Sequence, residues 1–241
     1  MEARSASLNE HDVSVLLRGE TTSLRDWTAR WNSGRLAVQF LVIVAGAGAY
    51  GAAMGWWRAP MQGLYVAIKF PLIILLTGLG NALINAMLAP LLGLNIPFRQ
   101  SCLATLASFA ITAAILGAFS PLLAFLVWNA APLTADTNAA GGTYAFMLLI
   151  NVVIIAFAGI AANLRLVQLL RQFNGANPGA SRRVLLAWLA CNLFLGSQLS
   201  WMLRPFIGSP SLHVQFLRDT PFTGNFYETL FRAVGRLLGL N

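Results

Sequence analysis

From Trp27 to Ala135 the chain contains no aspartate or glutamate, and its basic residues there are only Arg30, Arg35, Arg58, Lys69 and Arg99. A stretch so long and so poor in charge cannot solvate the surface of a water-soluble domain, but it suits a hydrocarbon environment. The whole chain agrees: 57% of its 241 residues are hydrophobic and 10% are charged. The expected fold is therefore all-α, a polytopic bundle of membrane helices, because helices satisfy every backbone polar group within their own segment.

Hydropathy places about five spans, at roughly 37–56, 64–94, 100–128, 143–170 and 184–203, each near or above the ~20 residues that cross a bilayer core. The second contains Pro71 and Pro90 and the third Pro121, so kinks, tilt or re-entrant pieces are expected there. This divides the chain into an amphipathic segment (1–35), a transmembrane domain (36–203) and an amphiphilic tail (204–241). The first residues mix acids with arginines and contain no short apolar run with a cleavage site, so the amino terminus is expected to be retained.

The connection after the third span carries Asp136 and no basic residue, whereas the connection after the fourth carries Arg171, Arg182 and Arg183. The positive-inside rule puts the arginine-rich loop in the cytoplasm, with the amino terminus and Arg99 on the same side and the tail outside. An unrecognised hairpin in one long span would return the tail, with Arg204, Arg218, Arg232 and Arg236, to the inside. Trp27 and Trp31 lie one turn apart before the first span and read as a headgroup-level anchor leading into it. In the tail, "RPFIGSP" reads as turn-rich, and Phe226, Leu230, Phe231, Val234, Leu237 and Leu238 form the apolar face of a short amphipathic helix. Trp27, Trp31, Arg204, Phe206, Phe226, Tyr227 and Phe231 are the candidate residues for docking a partner.

No carboxylate falls in a span, and no nucleotide loop, GxSxG or HExxH pattern occurs. His11 and His213 stand alone, and Cys102 and Cys191 read as small buried hydrophobes without ligand spacing. Catalytic, cofactor-binding and metal residues are accordingly expected to be none. Lys69 reads as a cation snorkelling from a helix end. The arginines flank spans without forming a stripe, so nucleic acid is not an expected partner.

The remaining polar signal is amide. Asn81 and Asn85 sit one turn apart in an apolar run near Gly78 and Gly80, and Asn151, Asn163, Asn192, Ser197, Gln198 and Ser200 are candidate partners on later spans. Amides in lipid must face protein or water. An interhelical clasp is the preferred reading of Asn81, Asn85, Asn151, Asn192 and Gln198, and a pore seam is the alternative.

The run "APLLGLNIPFRQSCLATLASFA" between two apolar spans resembles the core of the Yip membrane family, through Leu92, Gly93, Phe98, Arg99 and Gln100. "LRPFIGSP", followed by "FLR" and "NFYE", is similar to segments of uncharacterised bacterial membrane proteins of this size. The Yip resemblance implies a non-enzymatic scaffold or assembly factor. Together these features describe a subunit of a bacterial cytoplasmic-membrane complex, in contact with membrane lipids and with itself or other subunits. An oligomeric channel or passive carrier is the alternative, its formal charge of +8 favouring anions at an entrance.

Overall fold

The computed structural model describes residues 33–91, 98–130, 137–173, 178–208, 213–225 and 227. Five long helices follow one another: α1 Ser33–Trp56, α2 Pro60–Leu91, α3 Phe98–Trp128, α4 Thr137–Phe173 and α5 Pro178–Met202. Among the described residues, four stretches are long and apolar enough to cross a membrane: Gly34–Trp56, Pro60–Ile84, Cys102–Trp128 and Gly142–Leu164. The 25-residue α5, where a fifth span is expected over 184–203, is not among these four and is the most polar of the five helices, with Asn192, Ser197, Gln198 and Ser200 in its second half. The protein is an all-α integral membrane bundle.

The helices alternate in direction, as side-chain contacts between them record. Gln39 of α1 meets Leu103 of α3, so these two run parallel, while Ser108 and Phe119 of α3 meet Ala162 and Phe157 of α4 in antiparallel order. Gly80 faces Leu195 and Thr77 faces Gly196, which makes α2 and α5 antiparallel. The start of α1 and the residues after α5 therefore lie at opposite ends of the bundle. No hairpin interrupts the long second or third helix.

Close packing around α1 depends on glycine. A methyl group on Gly46 would fall 2.2 Å from the Ala113 carbonyl oxygen, and one on Gly55 would fall 2.6 Å from that of Gln62. Backbones approach this closely only where no Cβ intervenes, which lets dispersion contacts accumulate where lipid supplies no hydrophobic drive. Val38, Ile43, Ala47, Tyr50 and Met54 line the buried side of α1. The outer face of α4, from Leu149 through Val153 and Phe157 to Ile160, is exposed and apolar, as a lipid-facing surface must be.

The expected proline effects are local. Both α2 and α3 remain helical through Pro71 and Pro121. Pro121 has no N–H to give the Gly117 carbonyl, and the Ser120 hydroxyl donates to that oxygen instead at 2.7 Å. A side chain thereby replaces the missing helix bond, and the helix continues.

Candidate functional site: a clamped loop at one end of the bundle

After α5 the chain turns back over the end of the bundle formed by the α1–α2 turn and the start of α4. Two α2 side chains hold it there. Gln62 donates through Nε2 to the carbonyls of Pro205, at 2.9 Å, and Phe206, at 2.8 Å. Two turns further along the same helix face, Lys69 donates through Nζ to the Pro205 carbonyl at 3.1 Å. The Phe206 ring packs edge-on against Phe70 with centroids 6.3 Å apart, and Ile207 is buried beneath the loop.

Lys69 is 0% exposed, which overturns the snorkelling expectation. Its ammonium lies 4.8 Å from the Phe216 centroid and 6.0 Å from that of Phe206, with no carboxylate paired to it among the described residues. Desolvating a cation is expensive, and a carbonyl with aromatic faces offsets part of that penalty. The lysine thus holds the loop while the loop shields the lysine. Gln62 and Lys69 are seven residues apart in an otherwise apolar segment, two turns on one helix face. That spacing is the signal by which the pair is recognisable in the sequence, although Gln62 was not among the candidates.

The loop continues as a layer of polar and aromatic contacts. The Arg204 guanidinium stacks 3.7 Å from the Trp201 centroid and donates to the Trp201 carbonyl at 2.7 Å. Burial, and then the neighbouring charge of Arg218, press its pKa below the ordinary guanidinium value, though an arginine stays protonated at physiological pH. Trp201 Nε1 donates to the Thr223 carbonyl at 3.2 Å, and Tyr65 meets Phe216 edge-on at 5.3 Å. Tyr227 stacks on Phe194 at 6.2 Å, and its hydroxyl accepts from Ser197 at 2.8 Å. Beyond these anchors Phe222, 77% exposed, projects outward.

The described amide candidates share no hydrogen bond with one another. Asn151 is buried and accepts a 2.7 Å hydrogen bond from the Tyr50 hydroxyl of α1, while its own Nδ2 donates to the Met147 carbonyl. Asn163 bonds back to the Gly159 carbonyl on its own helix. Asn81 is 0% exposed on α2, and neither of its amide atoms has a partner among the described residues. The α2–α5 register puts half-buried Asn192 at the level of Asn81, and Gln198 is half-buried further along α5. The Asn85 side chain, Leu92 and Gly93 lie outside the described residues, as do Trp27, Trp31, Phe226 and Phe231.

The Tyr50–Asn151 bond makes a direct prediction. Asn151→Leu leaves a buried hydroxyl unpaired and is expected to lower stability in detergent by about 1 kcal/mol, and Tyr50→Phe in the same chain should recover most of the loss. A double-mutant cycle on thermal unfolding measures this. Strict additivity of the two substitutions would mean the bond contributes nothing.

No protein-family model, curated protein or solved structure matches this chain.

Proposed function

We propose that this chain is a non-catalytic subunit of a membrane complex, which docks onto other membrane proteins or a second copy of itself through the loop layer after α5. The observation that carries the reading is the clamp. Two buried polar side chains of α2, Gln62 and Lys69, bond to backbone carbonyls of the loop. Their polarity serves to hold a segment in place, and the segment so held carries an exposed aromatic, Phe222. A tail acting only as a lipid anchor would need no such fixed origin.

The arginines on the connection from α4 to α5 favour a cytoplasmic position for that end, in a bacterial inner membrane, with the loop layer on the outer side. The Yip-type resemblance supports the same assembly role. The alternative, an amide-lined channel, gains no support from Asn81 and Asn151, which are buried in the single chain. No catalytic residue, cofactor or metal is assigned. Among the described residues no three His, Cys, Asp or Glu side chains are grouped as metal ligands would be.

A photo-crosslinking amino acid placed at Phe222 in native membranes tests the reading, with Leu149 on the outer face of α4 as the comparison site. The expected result is a discrete protein adduct from position 222 and lipid adducts from position 149. Lipid adducts alone from both positions would remove the docking role.

A further inference from the structure

A cavity of about 480 Å³ opens beside the loop layer, between α4 and α5. Phe70, Leu148, Val152 and Ile155 give it an apolar wall, and Arg204 and Arg218 stand at its loop end. Leu148, Val152 and Ile155 are also exposed on the outer face of α4, so the cavity opens sideways, where acyl chains would lie. From Leu148 to Ile155 the wall descends roughly 10 Å along the helix, the outer third of a ~30 Å hydrocarbon core.

The two arginines differ in their engagement. Arg204 is fixed by its stack on Trp201 and its bond to the Trp201 carbonyl. Arg218 has no acceptor among the described residues, and the Nε atoms of both are closed to solvent without a partner. Asp219, next in sequence, is exposed and does not line the cavity. Two arginines that line one cavity, with no Asp or Glu among the described residues lining it, above an apolar slot that opens toward lipid, are complementary to one kind of molecule. It has a phosphate at the headgroup level and a hydrocarbon chain below.

We propose that this cavity binds a single phospholipid with a net anionic headgroup, its phosphate between Arg204 and Arg218 and one acyl chain along Leu148, Val152 and Ile155. The proposal depends on the membrane placement of the helices and is independent of the docking role. Arg218 supplies the unfilled donor fork and Arg204 a fixed second charge.

Native mass spectrometry of the full chain in mild detergent tests this, with phosphatidylglycerol and phosphatidylcholine added in parallel. Wild type is expected to retain one phosphatidylglycerol with roughly tenfold preference over phosphatidylcholine, and Arg218→Gln to lose that preference. Val152→Trp, at an exposed position, fills the slot without touching either charge and should abolish retention of both lipids while leaving lipid-free melting unchanged. Equal retention of the two lipids by wild type, or an undiminished preference in Arg218→Gln, would overturn the proposal. Retention that survives Val152→Trp would overturn the slot along Leu148, Val152 and Ile155 as the acyl-chain site, and inorganic phosphate raising the melting temperature as much as the lipid does would overturn the lipid as ligand and leave a bare phosphate site.

Discussion

Gly46→Ala is expected to destabilise the bundle by about 3 kcal/mol or more, the largest effect of adding a methyl to any described glycine. The added carbon would sit 2.2 Å from the Ala113 carbonyl oxygen, a distance no relaxation of side chains relieves, because the obstructing atom is backbone. The helices α1 and α3 must then separate. Gly117 lies against the same point of α1, since a carbon added to it would fall 2.8 Å from the Gly46 Cα. Gly159→Ala provides the comparison. A methyl there meets nothing within 4 Å, so alanine's better helix propensity is expected to leave stability unchanged or raise it by about 0.5–1 kcal/mol. Thermal unfolding of both variants in one detergent separates the two cases. Equal melting temperatures would mean that the α1–α3 approach is looser than 2.2 Å implies.

The second large effect concerns the clamp. Gln62→Leu together with Lys69→Leu removes three hydrogen bonds to the Pro205 and Phe206 carbonyls. The amides of Leu203 and Arg204, which bond the Leu199 and Trp201 carbonyls where the loop leaves α5, are expected to exchange hydrogen roughly 10–100-fold faster, as a net loss of about 1.4–2.8 kcal/mol in local stability dictates. Global melting should move much less, since removing a buried cation also removes its desolvation penalty and leucine suits the vacated space. A local change without a global one is the signature of residues that hold a loop. Unchanged exchange would mean the loop is held by Phe206 and Ile207 packing alone.

The helical bundle is readable in the sequence because lipid leaves few alternatives. A run without acids from Trp27 to Ala135 has to satisfy its backbone internally, and only the helix ends shift, as where α2 begins at Pro60 instead of residue 64. The amides at Asn81 and Asn151 are equally visible, and both are buried as expected of groups that cannot face acyl chains. Their partners are not visible. Asn151 is bonded to a tyrosine 101 positions away, and a phenol on an apolar helix is indistinguishable in sequence from an interfacial one. The snorkelling expectation for Lys69 fails for a related reason. Its acceptor is the backbone of Pro205, and a carbonyl leaves no trace in residue type, so an apparently unpartnered lysine reads as snorkelling. Pro121 shows the same limit, since its effect depends on whether the neighbouring Ser120 turns its hydroxyl to Gly117.

Mild-detergent purification of the tagged chain from its native membrane, with mass-resolved sizing of wild type beside Gln62→Leu/Lys69→Leu, is the most direct test of the docking role. Wild type is predicted to elute with a stoichiometric membrane subunit or a second copy, and the double variant as a folded single chain. A wild type that elutes alone, or a double variant that keeps its companion while its loop exchanges freely, would contradict the clamp as the basis of assembly.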